Sequence, residues 1–230
     1  MKNLTNINVI KGLLEKYGFT FSKGLGQNFL INPSVCPKIA EYGFAQKGYG
    51  IIEIGTGFGT LSAELAKGAD KVVAIEIDTR LIPVLDETMG EFDNFKVINA
   101  DIMKTDLSAL IKSEFQGMKT AVCANLPYYI TTPILLKLIE EHISVDKIVV
   151  MVQKEVGIRF SAEPGSRDYS SITVFFHYYF HLKKLFDVSR NCFVPKPNVD
   201  SVILSFTKKE EQLPLKDQDL FFQLVRDAFQ

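Results

Sequence analysis

Ile51-Ile52-Glu53-Ile54-Gly55-Thr56-Gly57-Phe58-Gly59-Thr60-Leu61-Ser62 is the stretch around which the rest of this chain is organised. The apolar run at 51–54, interrupted only by Glu53, reads as a buried parallel strand. It stops at Gly55, and Gly57 and Gly59 follow at alternate positions. Thr60 is then placed to cap a helix running through Leu61, Leu65 and Ala66. Glycines permit a tight strand-to-helix turn and let a ligand approach the backbone where a Cβ would collide. The helix end behind them offers unpaired N–H groups to a carboxylate or phosphate.

The dinucleotide fingerprint G-x-G-x-x-G would need its third glycine at position 60, which is Thr. The spacing here is G-x-G-x-G preceded by the acid Glu53, and it resembles the first motif of S-adenosylmethionine (SAM) methyltransferases. Alone, such a turn is weak evidence and is also compatible with a plain structural bend, so the flanking sequence has to decide.

From residue 51 onward strand and helix patterns alternate, the signature of an α/β sheet. Strands are expected at 71–77, 95–100, 120–124 and 147–152, with helices at 79–89, 133–142 and from 154. Upstream, a helix over 6–17 ends at Gly18, and Asn32-Pro33 reads as a cap with proline in the first turn of a helix reaching Tyr42. Downstream, 170–180 reads as an aromatic-rich helix, and strands at 182–190 and 199–207 flank a connection long for a hairpin. An amphipathic pattern (Leu220, Phe221, Leu224, Val225, Phe229) closes the chain.

In open α/β sheets ligands lie beyond the carboxyl ends of the strands. There the second strand ends in Glu76, able to accept both ribose hydroxyl protons of a nucleoside, and the third in Asp101, able to accept from an adenine amine. The fourth carries Asn125-Leu126-Pro127-Tyr128. An aromatic amine is a poor nucleophile because its lone pair is delocalised into the ring. An Asn oxygen and a main-chain carbonyl can accept its two protons and turn that lone pair toward a methyl donor. Pro127 fixes the backbone that aims the Leu126 carbonyl, and Tyr128 gives the base a face to stack on. His177 and His181, four apart, would share a helix face, but no third ligand accompanies them, so no metal is expected.

At 230 residues with 47% hydrophobic content, the chain fits one domain with a small appendage. No apolar run is long enough to span a bilayer, and the N-terminus has no secretory h-region. Cys36, Cys123 and Cys192 are scattered and odd in number, which suits a reducing cytoplasm. Net charge is −1, yet 51–120 holds 12 acids against 7 bases and 154–196 holds 7 bases against 4 acids. That asymmetry suits one face turned to a polyanion.

Together these residues resemble the KsgA-type ribosomal RNA adenine N6,N6-dimethyltransferases over roughly residues 10–230. The resemblance rests on the glycine turn, Gly24-Leu25-Gly26-Gln27-Asn28-Phe29-Leu30, Asn125-Leu126-Pro127-Tyr128-Tyr129, Gln153-Lys154-Glu155-Val156, Pro164-Gly165-Ser166-Arg167-Asp168-Tyr169 and Phe193-Val194-Pro195-Lys196-Pro197-Asn198-Val199-Asp200-Ser201. It implies a Rossmann-like SAM-dependent methyltransferase fold, a seven-stranded mostly parallel sheet with helices on both faces. It further implies that Gln27, Asn28 and Leu30 close over SAM, that Gly55, Gly57 and Gly59 cradle its methionine end, that Glu76 holds the ribose, and that Asp101 with Ile102 holds the adenine. Asn125 and the Leu126 carbonyl would bind the target amine, with Tyr128 and Phe193 sandwiching the target base. The implied reaction is dimethylation of two neighbouring adenosines near the 3′ end of small-subunit ribosomal RNA, on a pre-30S particle, by a cytoplasmic monomer.

Two departures stand out. Thr56 occupies a position where the family usually has Pro, and looks more like the related Erm enzymes, which methylate large-subunit RNA. The family also continues about fifty residues further, into a basic helical domain. Residues 1–208 are therefore expected to form the catalytic domain, and 209–230 the start of a C-terminal helical domain that is largely absent. The rival expectations are an Erm-type enzyme, an assembly factor that binds RNA with little turnover, and a NAD-dependent oxidoreductase, which Thr60 disfavours.

Overall fold

The structure, a computed structural model, describes residues 2–22, 24–141 and 143–229. Met1, Lys23, His142 and Gln230, onto which some of the readings above extend, lie outside the described residues. In chain order the elements are α1 (Ile7–Lys16), β1 (Phe29–Leu30), α2 (Val35–Tyr42), β2 (Tyr49–Ile54), α3 (Thr60–Gly68), β3 (Lys71–Glu76), α4 (Ile82–Met89), β4 (Phe95–Asn99) and α5 (Leu107–Phe115). There follow β5 (Lys119–Asn125), α6 (Thr131–Glu140), β6 (Lys147–Gln153), α7 (Lys154–Phe160), α8 (Ser171–Tyr179), β7 (Phe180–Val188), β8 (Phe193–Val194), β9 (Ser201–Lys208) and α9 (Gln218–Ala228).

Seven strands form one sheet in the order β4-β3-β2-β5-β6-β9-β7. Pairs from β4 through β6 are parallel, and β9 runs antiparallel to both β6 and β7. The expected seven-stranded, mostly parallel sheet is therefore what forms. Its central strands are mostly apolar because both faces are covered, with Glu53 of β2 a buried exception. Ile51, Val72, Ala121 and Val149 point to one face, where Ile39 of α2, Leu65 of α3 and Leu85 of α4 pack. Ile52, Val73, Val122 and Val150 alternate to the other, against Phe115 of α5, Leu135 of α6 and Phe160 of α7. Each such fully buried aliphatic contributes roughly 1.5–3 kcal/mol, which fixes the register and hence the level at which the strands end.

The local differences from the sequence reading have physical causes. Gly59, at φ +87°, takes the N-cap of α3, and Thr60 is the first helical residue, not the cap. A side chain at 59 would be strained there, and its Cβ would fall 2.9 Å from Met89 Sδ. Asn32 does not begin α2; its Oδ1 accepts from the Ser34 N–H (2.9 Å) and hydroxyl, making a turn that leads into the helix at Val35. α5 was not foreseen, although Asp106 caps it by accepting from the Ala109 N–H at 2.9 Å. His177 and His181 do not share a helix, because α8 ends at Tyr179 and His181 sits exposed on β7 opposite Thr207. Among the described residues no group of three His, Cys, Asp or Glu side chains could hold a metal ion.

Two long-range ties bring the N-terminal segment to the sheet. Glu87 of α4 accepts from Lys2, Lys16 and Tyr17, fastening the end of α1 to α4, which itself packs on the sheet. β1 pairs with β8, Phe29 opposite Val194 and Leu30 opposite Phe193. That pairing explains the long connection between β7 and β9: it detours to bind the segment preceding α2. At the other end of the chain, Phe222 of α9 packs on Phe175 and Tyr179 of α8, with ring centroids 4.8 and 5.9 Å apart.

Candidate active site

Beyond the carboxyl ends of β2, β3 and β5, where the strand order reverses, lies an open cleft of about 1130 Å³. Its walls include Gln27, Asn28, Leu30, Gly55, Gly57, Glu76, Asp101, Ile102 and residues 125–128. Twelve of the fourteen residues singled out from the sequence thus meet around one space. The exceptions are Gly59, which faces α4, and Phe193. Phe193 is only 2% exposed, held in the core by its pairing with Leu30, so the structure does not bring it to the cleft as a base-sandwiching ring.

The turn after β2 and the acid ending β3 form one hydrogen-bonded unit. Glu76 Oε2 accepts from the Thr56 N–H (3.0 Å), the Thr56 hydroxyl (3.0 Å) and the Gly57 N–H (3.3 Å). Glu76 Oε1 accepts from the Asp78 N–H alone, at 2.9 Å, leaving this oxygen with capacity for a further donor. Burial pushes the Glu76 carboxyl above the usual carboxylate range, and the four donors oppose that shift. Gly55 adopts φ +76°, and a Cβ built on it would meet only the Asn125 carbonyl oxygen, at 4.0 Å. Any side chain there would project into the cleft floor.

Glu53 is the residue whose significance the sequence reading passed over. It is fully buried on β2 and lines the cleft, and neither carboxylate oxygen has a hydrogen-bond partner. Burial raises its pKa to about 8; the neighbouring Ser62 hydroxyl counters this and the Glu76 charge adds to it. An orphaned buried carboxyl beside a glycine-rich turn is the complement of a ligand bearing a positive charge. SAM, a cationic nucleoside with an amino-acid tail, fits this combination of glycine floor, ribose-height acid and unpaired carboxyl.

On the far side, Asp101 Oδ1 accepts from the Met103 N–H (2.9 Å), capping a short helical turn, and Lys104 approaches Oδ2 only to 4.0 Å. Asn125 ends β5 and donates through Nδ2 to the Asn28 carbonyl at 3.3 Å. With the amide nitrogen so engaged, Oδ1 is the group available as an acceptor. Pro127 lies at φ −58° at the start of the turn that carries Tyr128. The Tyr128 hydroxyl is 2.7 Å from Ser201 Oγ, which is fully buried at the head of β9. That bond fixes the plane of a half-buried ring at the cleft edge. Ser201 closes one of the motifs that carry the resemblance, but its bond to Tyr128 could not be read from the sequence.

The geometry agrees with what this chain is similar to. Residues 18–230 match the family model described as ribosomal RNA adenine dimethylase. The chain is 46% identical to the ribosomal RNA small subunit methyltransferase A of Bacillus cytotoxicus, covering 100% of this chain and 79% of that protein. The Bacillus mycoides protein of the same name matches equally well. Among solved structures, a dimethyladenosine transferase from Plasmodium falciparum superposes with a TM-score of 0.74 at 32% identity, covering 87% of this chain and 70% of that one. The 23S rRNA methyltransferase ErmE gives 0.73 at 26%, covering 88% and 77%. A cleft lined by the glycine turn, Glu53, Glu76, Asp101 and Asn125 thus sits in a chain whose sequence matches one enzyme family almost end to end: the chain belongs to the ribosomal RNA adenine dimethylases.

Proposed function

We propose that this chain catalyses SAM-dependent N6,N6-dimethylation of two adjacent adenosines near the 3′ end of small-subunit (16S) ribosomal RNA. In this reading it acts as a cytoplasmic monomer on a pre-30S particle. The single observation that carries the proposal is the presence of Asn125-Leu126-Pro127-Tyr128 on the same cleft as Gly55, Glu76 and Asp101. When bound, SAM supplies a methyl group on a positively charged sulfur, a good leaving group that makes a strong general base and a metal unnecessary.

The protein's part is to bind, orient and exclude water. Gly55 and Gly57 leave the cleft floor open for the methionine end, with Glu53 as its counter-charge. The spare capacity of Glu76 Oε1 serves a ribose hydroxyl. Asp101, through Oδ2, and the apolar side chain of Ile102 serve the adenine. Gln27, Asn28 and Leu30 form the opposing wall. Asn125 Oδ1 and the Leu126 carbonyl accept the two N6 protons of the target, turning the nitrogen lone pair out of conjugation. Tyr128, braced by Ser201, stacks the base for roughly 1–3 kcal/mol, after the base has been swung out of its RNA stack. Residues 1–208 make up the catalytic domain and 209–230 open a second, helical unit.

Unmethylated small subunits incubated with tritiated SAM test the proposal, followed by nucleoside analysis. Label in dimethyladenosine is the expected result. Label confined to large-subunit RNA would instead support the Erm-type reading. Binding of particles without label would support an assembly factor.

A further inference from the structure

The segment joining α1 to β1 forms one wall of the cleft, and its polar anchorage runs through two residues to which no role has yet been given. Asp78, two residues beyond the ribose-height acid, has a side chain only 4% exposed. Its Oδ2 accepts from Gln27 Nε2 at 2.8 Å and from Arg80 Nη2 at 2.6 Å; its Oδ1 accepts from Arg80 Nε at 2.8 Å and from the Arg80 N–H at 3.1 Å. Gln27, in turn, uses Oε1 to accept from the Ser22 N–H at 2.9 Å, which ties Gln27 to Ser22. Arg80 reaches the same segment by two further contacts. Its guanidinium lies 4.7 Å from the Phe19 ring centroid, and Nη1 donates to the Thr20 carbonyl at 3.4 Å.

We infer that Asp78 and Arg80 are positioning residues, a latch that holds the 19–28 segment over the adenosine end of the cleft. The inference rests on the proposed function and deepens it. Two consequences of the wiring make the latch more than loop packing. The Asp78 N–H donates to Glu76 Oε1, so the latch shares a backbone with the ribose acid. The held segment also supplies the Asn28 carbonyl that accepts from Asn125, so it sets which face of that amide meets the target amine. Charge-assisted bonds of this kind, with both carboxylate oxygens used and the carboxylate out of water, are stronger than neutral ones. Asp78 accordingly lies below the usual carboxylate range, through Arg80 first and Gln27 next.

The test uses the full chain with S-adenosylhomocysteine as the probe, its affinity measured by calorimetry, and tryptic cleavage after Lys23 as an independent readout of the segment. Gln27→Ala, Asp78→Ala and Arg80→Gln are each expected to weaken the probe roughly ten-fold and to speed cleavage after Lys23. The Gln27→Ala/Asp78→Ala double variant should be no worse than the weaker single, because both remove one connection. The KM for SAM should rise while that for RNA stays within two-fold. Multiplicative losses in the double variant, or unchanged affinity and cleavage in folded single variants, overturn the latch. Should the unaltered chain fail to bind the probe, the proposed function falls by itself. The cleavage rates then still decide whether Asp78 and Arg80 hold the segment.

Discussion

Replacing Glu53 by Gln gives the most direct check on how the cleft is built. The folded chain holds this carboxyl at a pKa of about 8, against an ordinary 4.5, because burial disfavours its charge by more than the neighbouring Ser62 hydroxyl offsets, and the Glu76 charge adds to the shift. Between those two values the unfolded chain gives up its proton and the folded chain keeps it. The folded state then binds more protons, so stability falls as pH rises, by up to 1.36 kcal/mol per pH unit. From pH 4.5 to pH 7 that amounts to a ceiling of roughly 3 kcal/mol, or about 6–12 °C in Tm for a chain of this size. The amide is uncharged and nearly isosteric, so it removes the titration without opening a cavity.

The ligand-free Glu53→Gln variant should therefore melt higher than the parent at pH 7.5. Its Tm should also lose most of the decline that the parent shows between pH 5 and pH 8. Binding adds a second signature. A cationic ligand lowers the pKa of a facing carboxyl, so the parent should release a proton on binding SAM at pH 7 and the variant should not. Calorimetry in two buffers of different ionisation enthalpy reads that proton directly. Parallel pH–Tm curves for parent and variant, together with equal proton release, would refute the reasoning at its root. Glu53 would then be ionised and solvated in the fold despite its burial.

Three further outcomes follow from the same geometry. Asn125→Ala should reduce methyl transfer by at least a hundred-fold while leaving SAM affinity within a few-fold, measured by single-turnover label transfer and calorimetry; equal losses would contradict its role as amine acceptor. Glu76→Ala should do the reverse, weakening SAM ten-fold or more before any effect on the transfer step. Its thermal unfolding should also report loss of the acceptor for the Thr56 and Gly57 N–H groups. Glu87, held at about 2 by Lys16, Lys2 and Tyr17, contributes stability above its ordinary pKa that is lost as pH falls from 4.5 toward 2. Hydrogen exchange in α1 should rise across that window in the parent and be high throughout in Glu87→Gln.

The parts legible in the sequence were those in which one residue type decides the outcome locally. Buried strands announced themselves because β2, β5 and β6 admit almost no polar side chain on either face. Glycines at 55, 57 and 59 required the bend because all three adopt positive φ. What stayed hidden was set by partners distant in the chain. α5 buries only Leu107 and Phe115, too shallow a stripe to stand out. Phe193 lies against a strand 163 residues earlier, opposite Leu30, and that pairing decides its burial. His181 looked helical by its spacing from His177, but the helix stops where Phe180 joins the sheet beside β9. The two oxygens of Glu76 could be assigned to a ribose from position alone, whereas their commitment to Thr56, Gly57 and Asp78 required coordinates.

Thr56 brings these strands of reasoning together. It was the one residue pointing toward an enzyme of large-subunit RNA, since it stands where the small-subunit enzymes usually carry proline. In the structure its side chain is 5% exposed, and both its N–H and its hydroxyl donate to Glu76. Proline has neither donor, so exchanging the two residues changes how well the buried ribose acid bears its charge and how firmly the glycine turn is tied to β3. Those are properties of the cofactor side of the cleft. In the proposed reaction the target base approaches from the Asn125 and Tyr128 side, where Thr56 makes no hydrogen bond among the described residues. A residue that acts entirely within the cofactor half carries no information about which RNA is presented to the other half. Its presence therefore leaves the small-subunit reading intact.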